Sequence, residues 1–231
     1  MRAASSFTIL RRAVSTACAL TLLASLTACG DSNDDATQKI NGDIHAVAGK
    51  TYGAVDSVNG AIHIDDNAAV ASATTVNGDI HVGAHASAGS LKTVNGEITL
   101  GSGAHVTGSI TSVNGELKLH DGADVAKGLT NVNGEITVAS AHVAGGIRTV
   151  NGNITLSGNT QVEGGIVVEK PSGVINFNGK PPRVVIGPGV TVDGELRFER
   201  PVTLYVSDKA TIGPVSGATA VQFTGDTPPA G

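Results

Sequence analysis

Three histidines recur at a constant interval of 18 residues, and these are the first candidates for chemistry in this chain. They are His45, His63 and His81. If successive copies lie on neighbouring strands, their side chains stack about 4.8 Å apart. Imidazole pairs at that spacing could share Zn²⁺ or Cu²⁺, with Asp43 and Asp79 as further ligands. We favour a solvated polar column; a divalent metal is the alternative, and no other cofactor is predicted.

An acidic residue precedes the histidine position by two residues in five of the seven copies, and Ala61 and Asn153 fill the other two. The members of this acidic column are Asp43, Asp79, Glu97, Glu116 and Glu135. Like charges on neighbouring strands repel one another. A divalent cation or a basic partner would relieve that repulsion, although a solvated acidic surface is the interpretation we favour.

The remaining reactive residues match no catalytic motif. The chain has no Gly-x-Ser-x-Gly elbow, no His-Glu-x-x-His pair and no phosphate-binding glycine loop opening a helix. The other histidines, at positions 85, 105, 120 and 142, form no clear cluster along the sequence. We therefore predict no catalytic residues and a protein that is not an enzyme.

The histidine interval belongs to a repeat that covers most of the chain. The tripeptide Val/Ile-Asn-Gly occurs seven times, at steps of 18 or 19 residues. Its asparagines are Asn41, Asn59, Asn77, Asn95, Asn114, Asn133 and Asn151. Within each unit apolar residues pair at a spacing of two, the strand period, and the pairs advance by six. Three short strands per unit predict a three-sided coil.

Stacked coils of this kind form an all-β fold, a single-stranded parallel β-helix or β-solenoid of about nine coils. In the clearest unit the predicted inward residues are Val94, Ile98, Leu100, Ala104, Val106 and Ile110. One inward column runs from Ile44 to Leu204 and its neighbour from Ala46 to Val206. Right-handed coiling is favoured because parallel crossovers are generally right-handed. An antiparallel barrel or sandwich with Asn-Gly hairpins is disfavoured, because it would not hold one register through seven units.

The Asn-Gly pair is predicted to form a corner of each coil. Glycine adopts positive φ freely and asparagine is the next best tolerated residue. Stacked asparagine amides can also bond to their copies, so we assign all seven a structural role as a ladder. Small polar residues two places earlier are predicted to form a flat outward surface: Ser57, Thr75, Thr93, Ser112, Asn131 and Thr149. Flat threonine arrays occur in ice-binding solenoids, which makes ice binding a remote alternative function.

The repeat is interrupted once, after Val168. Residues 169–182 contain three prolines, which are unsuited to central strands, and predict an insertion loop. The solenoid is predicted over residues 40–224, with a C-terminal cap over 198–224 and a disordered tail over 225–231. Phe177, Phe198, Tyr205 and Phe223 are expected to plug the last coils.

The first 28 residues are predicted to be a lipoprotein signal peptide. Three arginines precede an apolar stretch at 13–24 that is short for a bilayer span. The following Leu26-Thr-Ala-Cys-Gly30 resembles a bacterial lipobox, which implies cleavage before Cys29 and lipid on that residue. Residues 29–39 are predicted to be a flexible, lipid-anchored tether. Asp31, one place later than an inner-membrane signal would stand, favours the periplasmic side of the outer membrane; the cell surface is the alternative.

Charge and cysteine content narrow the possible partners. Removal of the three arginines leaves 12 Lys and Arg against 20 Asp and Glu. This excess of negative charge argues against nucleic acid as a partner. Both cysteines, at positions 18 and 29, lie outside the repeats, so no disulfide or cysteine metal site is predicted there.

The repeat units resemble two groups of bacterial β-solenoids. Ala104-His-Val-Thr-Gly-Ser-Ile110 is similar to the coils of bactofilins, which are polymer-forming cytoskeletal proteins. Val76-Asn-Gly-Asp-Ile80 and its copies look like the repeats of adhesin-type head-GIN domains. The resemblance covers about residues 40–224 and implies a structural, polymer-forming or adhesin-like role in the envelope. Expected partners are the membrane, through the lipid, further copies of the chain, and an envelope polymer; binding of a polysaccharide or a divalent metal is the alternative function.

Overall fold

The part of the chain described by the computed structural model, residues 37–171 and 180–229, consists of β-strands and connecting turns. The strands pair in parallel from one coil to the next, so the fold is a β-solenoid of ten turns. The predicted fold class is confirmed, and the structure adds one turn to the nine predicted. The handedness of the coil and its number of sides stay predictions. Within the described residues no helix combines the length and apolar character needed to cross a membrane.

The first sheet takes one strand of three to five residues from each coil. Its strands, in spatial order, are β2 (Ile44–Ala46), β4 (Ile62–Ile64), β6 (Ile80–Val82), β8 (Ile98–Leu100), β11 (Leu117–Leu119), β14 (Ile136–Ala139), β17 (Ile154–Ser157), β20 (Arg183–Ile186), β23 (Thr203–Ser207) and β26 (Ala220–Phe223).

The second sheet contains the other 16 strands. They are β1 (Thr37–Asn41), β3 (Thr51–Asn59), β5 (Ala69–Asn77), β7 (Ser87–Lys92), β9 (His105–Val106), β10 (Ile110–Asn114), β12 (Asp124–Val125), β13 (Leu129–Asn133), β15 (His142–Val143), β16 (Ile147–Thr149), β18 (Gln161–Val162), β19 (Ile166–Val168), β21 (Thr191–Val192), β22 (Leu196–Phe198), β24 (Thr211–Ile212) and β25 (Val215–Ser216). The sheet branches at β7, which pairs with both β9 and β10. From β8 to β25 each coil therefore carries three strands, and the last coil contributes β26 alone.

The core is a narrow apolar column that runs the length of the solenoid. The two predicted inward columns of the first sheet are confirmed, because strand pairing keeps Ile44 in register with Ile62 and, nine coils up, Leu204 with Ala220. Nearly every side chain in these columns is fully buried. Among the buried hydrophobic residues of this core, only Ala, Val, Ile and Leu occur before Phe198, because stacked coils leave little room for rings.

The side-chain alternation at the Asn-Gly corner is the reverse of the prediction. Val94 is partly exposed and Thr93 is fully buried, and the equivalent residues of the other coils behave in the same way. Buried threonine is favourable here because its hydroxyl meets a backbone carbonyl: Thr93 Oγ1 donates to the carbonyl of Gly78 over 3.1 Å. The predicted outward Thr-x-Asn surface is therefore wrong, and the ice-binding alternative loses the array it required.

The corner glycines are needed for close approach more than for backbone freedom. Of the seven, only Gly42 and Gly134 have positive φ. A Cβ on Gly115 would overlap the carbonyl oxygen of Gly96 in the preceding coil, and the other stacked corner glycines are crowded in the same way. Positive φ falls at the next corner of the coil, where glycine alternates with Asn67, His85 and Ser140.

The predicted insertion separates β19 from β20 without disturbing the register. Ile154 of β17 pairs with Val184 of β20, although 30 residues separate them. The chain leaves and rejoins the solenoid at the corner that carries Asn-Gly in earlier coils. Residues 172–179, including Phe177, lie outside the described part of the chain, as do residues 1–36.

The aromatic residues of the last coils occupy two different surfaces. Phe198 points inward and joins the core. Tyr205 instead packs with Val185 and Phe223 in a separate buried cluster. Because Val185 and Tyr205 alternate with inward residues of their strands, this cluster lies on the outer side of the first sheet. Tyr205 and Phe223 therefore cover the flank of the last coils and do not plug their interior.

Arg183 holds the C-terminal segment over this aromatic cluster. Its guanidinium lies 4.8 Å from the centre of the Tyr205 ring, a cation–π contact. Its Nη2 donates to the carbonyl of Pro229 over 3.3 Å. Part of the segment predicted as a disordered tail thus contacts the solenoid.

The crowding at the corner predicts an unusually costly glycine substitution. Gly115→Ala should destabilise the protein by about 3 kcal/mol or more, because the overlap is with backbone that cannot move without breaking the stack. Gly122→Ala, at positive φ but with only ordinary van der Waals contacts to Gly103 around the new Cβ, should cost only about 1–2 kcal/mol. Thermal unfolding followed by circular dichroism measures both losses. Equal losses would contradict the close-approach explanation.

Candidate functional site

The asparagine side chains form a continuous hydrogen-bonded ladder along one corner of the solenoid. In each step the Nδ2 of one asparagine donates to the Oδ1 of its copy in the preceding coil, over 2.8–3.1 Å. The ladder contains Asn41, Asn59, Asn77, Asn95, Asn114, Asn133 and Asn151. Arg200 ends it by donating to Asn151 Oδ1 and to the carbonyl of Val150. This arginine replaces the asparagine that the insertion removes from the next coil.

The three predicted metal ligands are stacked ring on ring. The ring centres of His45 and His63 lie 4.7 Å apart and those of His63 and His81 lie 5.1 Å apart, with interplanar angles of 12° and 21°. Rings in nearly parallel planes direct their nitrogens side by side and do not aim them at one point. Among residues 37–171 and 180–229, no three His, Cys, Asp or Glu side chains are placed to hold a metal ion.

The histidine stack borders a shallow depression on the outside of the first sheet. His63, His81, Asp65 and Asp66 line it. Asp66 is already engaged, because its Oδ1 accepts a hydrogen bond from the backbone N–H of Ala84 over 2.7 Å. His63 and His81 thus line the same depression as the carboxylates of Asp65 and Asp66.

Two members of the acidic column, Glu97 and Glu116, are paired with a lysine of the same chain. Lys118 stands on the histidine-equivalent position and places its Nζ 2.7 Å from Glu97 Oε2 and 2.6 Å from Glu116 Oε2. The hydrogen bond from Lys118, with a second from Thr99, lowers the pKa of Glu97. The hydrogen bonds to Glu116 and then Glu97 raise the pKa of Lys118. Lys118 of the same chain thus supplies positive charge to Glu97 and Glu116, the role that the sequence analysis considered for a divalent cation or a basic partner.

Two acids at the start of this column bind the backbone of the next coil. Asp43 Oδ1 accepts from the N–H of Ala61, and Asp79 Oδ1 accepts from the N–H of Glu97, each over 2.8 Å. Each of these carboxylates thus links its own coil to the backbone of the next.

A second histidine cluster, which the sequence analysis missed, lies on the other sheet. Asp124 accepts from two imidazoles: its Oδ2 lies 2.6 Å from His105 Nδ1 and its Oδ1 lies 2.5 Å from His142 Nδ1. His142 Nε2 also lies 3.2 Å from Glu163 Oε1. The expectation that His105 and His142 form no cluster is wrong. The signal was present, because positions 105, 124 and 142 are one repeat apart and pair in register.

The carboxylate and the imidazole of this second cluster shift each other's ionisation. Burial raises the pKa of Asp124, but hydrogen bonds from His142 and His105 outweigh it and the net pKa is lowered. The hydrogen bond to Asp124 raises the pKa of His142 against a smaller opposing effect of burial, and Glu163 adds to the rise. The arrangement therefore favours a protonated His142 beside an ionised Asp124.

Compared with family models, curated proteins and solved structures, the chain shows no match.

The asparagine ladder predicts a specific loss on substitution in its middle. Asn95→Ala removes the bonds to Asn77 and Asn114 and should cost about 1–2 kcal/mol, at about 1 kcal/mol net per hydrogen bond. Asn95→Asp should cost at least as much, because a carboxylate would face Asn77 Oδ1 without a proton to donate. Thr130→Ala, an outward substitution beside the ladder, is the control and should change the unfolding midpoint little. If Asn95→Ala matches that control, the ladder contributes no stability.

The second histidine cluster predicts a pH window of added stability. The contribution of Asp124 is complete above its ordinary pKa of 3.8 and is lost as the pH falls through the lower folded value. The contribution of His142 is complete below its ordinary pKa of 6.5 and is lost as the pH rises through the higher folded value. The stability difference between the wild type and Asp124→Asn should therefore be largest between these two pH values.

Urea unfolding across a pH series measures this difference, with Asp121→Asn on the same coil as the control. A difference that is constant across the series, or that grows above pH 8, would refute the pairing of the charged forms.

Proposed function

We propose that this chain is a non-enzymatic structural protein of the bacterial envelope, a rigid rod that assembles end to end. The observation that carries the proposal is the matched pair of open strand edges. Within residues 37–171 and 180–229, strand β2 begins the ten-stranded sheet and β26 ends it, and each pairs with another strand on one side only. A second copy could continue the same parallel ladder from either end, since every junction inside the rod already has that geometry.

Stiffness supports the structural role. Each coil is joined to the next by backbone hydrogen bonds and by a shared apolar core, and the first seven coils also by the asparagine ladder. At about 4.8 Å per coil, ten coils make a rod about 48 Å long. Side chains able to do chemistry are largely engaged with one another, as in Lys118 with Glu97 and His142 with Asp124.

In this proposal Lys39 regulates assembly at the N-terminal end of the rod. It pairs in register with the buried position of Ser57, so its side chain extends over the end of the core, and its Nζ donates to the carbonyl of Asp43 over 2.6 Å. Lysine at an open edge opposes further strand pairing. End-to-end growth at this face therefore requires the lysine to swing aside.

The envelope location rests on the sequence around Cys29. Lipid on that residue would hold the rod at a membrane, and the position of Asp31 favours the periplasmic side of the outer membrane. Several acyl chains give stable attachment where a single chain is marginal.

Labelling and electron microscopy of the full chain test this function. Expressed in a Gram-negative host with labelled palmitate, the wild type should take up label and sediment with membranes, whereas Cys29→Ser should do neither. In negative stain, the detergent-solubilised protein should form rods whose lengths are multiples of one copy. Lys39→Thr, which restores the residue type of the later coils, should lengthen them.

The two parts of the proposal fail separately. Absence of label on the wild type would overturn the lipid anchor. Single rods at every concentration, in both the wild type and Lys39→Thr, would overturn end-to-end assembly.

A further inference from the structure

Each ladder asparagine is followed by glycine, the dipeptide in which an asparagine side chain is most readily lost as ammonia. The seven ladder pairs are Asn41-Gly42, Asn59-Gly60, Asn77-Gly78, Asn95-Gly96, Asn114-Gly115, Asn133-Gly134 and Asn151-Gly152. In this deamidation the backbone nitrogen of the glycine attacks Cγ of the asparagine, and glycine leaves that approach open because it has no side chain. A hydrogen bond from the glycine N–H hinders the attack, because the nitrogen must leave its acceptor and give up its proton. A further pair, Asn178-Gly179, lies outside the described residues.

Five of the seven glycine N–H groups are held by the next coil. Each donates to the backbone carbonyl of the ladder asparagine one coil further on, over 2.9–3.2 Å. They belong to Gly42, Gly60, Gly78, Gly96 and Gly115. A sixth, that of Gly152, donates to Oγ1 of the buried Thr149 over 3.0 Å. Six of the ladder asparagines are therefore followed by a glycine nitrogen whose proton is engaged.

The remaining glycine, Gly134, lacks this bond. Within residues 37–171 and 180–229, its N–H donates neither to the carbonyl of Asn151 nor to any other group. Strand pairing gives the same result, since Asn114 is paired with Asn133 but Asn133 is not paired with Asn151. The backbone at Gly134 has also turned to a φ of 127°, whereas the corner glycines of the coils on either side have no positive φ. The Asn133-Gly134 corner is thus the one most loosely joined to its neighbour.

The end of the ladder accounts for this gap in the bonding. Because the ladder stops at Asn151, Gly152 has no further ladder carbonyl to donate to, and its N–H bonds to the Thr149 hydroxyl instead. In an earlier coil the equivalent hydroxyl donates to the glycine carbonyl of the preceding coil, as Thr93 does to Gly78. In the described part of the chain Thr149 makes no such bond to Gly134, whose peptide groups are therefore less restrained.

We propose that Asn133 is a site of spontaneous modification, which deamidates before the other six ladder asparagines. The Gly134 nitrogen forms a bond to Asn133 Cγ and gives up its proton, while the bond from Cγ to Nδ2 breaks and Nδ2 leaves as ammonia. Water then opens the resulting succinimide ring at either of its carbonyls, which gives aspartate or isoaspartate at position 133. The Asn133 side chain is exposed, so water reaches the site.

The ladder itself does not distinguish Asn133 from its neighbours. Its Nδ2 donates to Asn114 Oδ1 over 2.9 Å, and its Oδ1 accepts from Asn151 Nδ2 over 2.8 Å. Every interior member of the ladder has two such bonds, and both must open before the side chain can react. The bonding of the following glycine is therefore the feature that sets Asn133 apart.

The product weakens the ladder where it forms. An ionised carboxylate at position 133 has no proton to donate to Asn114 Oδ1, so two acceptors face each other. Isoaspartate also lengthens the main chain by a methylene group, which disturbs the register between coils. The aged protein should therefore unfold more readily than the fresh protein. The site uses neither the lipid nor the open ends, so it stands apart from the proposed function.

Timed incubation of the full chain tests the order of reaction. Purified protein is held in mildly alkaline buffer, and proteolysis followed by tandem mass spectrometry measures conversion at each ladder asparagine. In the folded protein Asn133 should react at least about fivefold faster than any other ladder asparagine, a ratio that one net hydrogen bond can supply. The same incubation in urea is the control: all seven should react at similar rates, because each is followed by glycine.

Hydrogen exchange provides a second measurement, which does not depend on the reaction. The backbone amide of Gly134 should exchange at least about fivefold faster than the amides of Gly115 and Gly152, because local opening exposes it without breaking a bond to the next coil.

A matched pair of variants separates the effect of the glycine from that of the ladder. Asn114→Ala removes the acceptor of the Asn133 amide, and Asn77→Ala removes that of the Asn95 amide in the same way. The first variant should speed the reaction at Asn133. The second should leave Asn95 slower than Asn133 of the wild type, because Gly96 stays bonded to the next coil. Circular dichroism confirms that both variants are folded.

Three outcomes overturn the assignment. Equal rates at all seven sites of the folded protein, or a faster reaction at another ladder asparagine, mean that the glycine bonding does not set the order. An Asn133 still unconverted when the unfolded chain has fully reacted means that this site is protected like the others. If Asn77→Ala raises Asn95 to the rate that Asn133 reaches in Asn114→Ala, the ladder amides are the protecting groups. None of these results bears on the lipid anchor or on end-to-end growth.

Discussion

Parallel hydrogen bonding between coils places each residue directly beside its copy, one strand spacing away, and every other feature of this molecule follows from that alignment. Register passes unchanged through each coil, even across the insertion, where Ile154 still pairs with Val184. A residue type that recurs at one position of the repeat must therefore be tolerated beside an identical residue in the next coil. This condition determines which side chains the corners, the core and the surface columns can carry.

Stacking of like residues in successive coils is stabilising for some residue types and destabilising for others. An amide both donates and accepts, so a column of asparagines satisfies itself, and it needs a different group only at its end, where Arg200 takes over. Carboxylates cannot do this, and the acidic column is tolerable because Lys118 bridges Glu97 to Glu116. Asp124 reaches the same result by standing between His105 and His142. These hydrogen bonds and ion pairs on the surface thus compensate for the stacking of like residues in successive coils.

The same alignment explains how a regular surface arises without selection for a single pocket. Columns of identical side chains produce stripes, such as the stacked imidazoles of His45 and His63 and the valines beside the ladder. A stripe recognises an object with the same repeat more readily than it recognises a compact ligand. Another copy of the same solenoid has that repeat, which is the reason that we propose assembly.

Much of the fold could be predicted from the spacing of residues alone. The 18- to 19-residue period identified the parallel solenoid, its inward isoleucine column and the alignment of the asparagines, because the period of a repeat fixes which residues become neighbours. It also contained the His105, Asp124 and His142 alignment, which went unnoticed because those residues differ in type. The repeat period shows which residues become neighbours whatever their type, whereas a search for recurring residue types finds only columns of like residues.

The tertiary structure alone decided which way the side chains beside the corner point. Hydrophobicity placed Val94 inside and Thr93 outside, yet Thr93 is buried and its hydroxyl donates to the Gly78 carbonyl. The role of the corner glycines was likewise decided by the packing of one coil on the next. The sequence by itself determined which residues stack on one another, because the repeat period sets the register. Only the path of the backbone around the corner determined whether each side chain points into the core or outward.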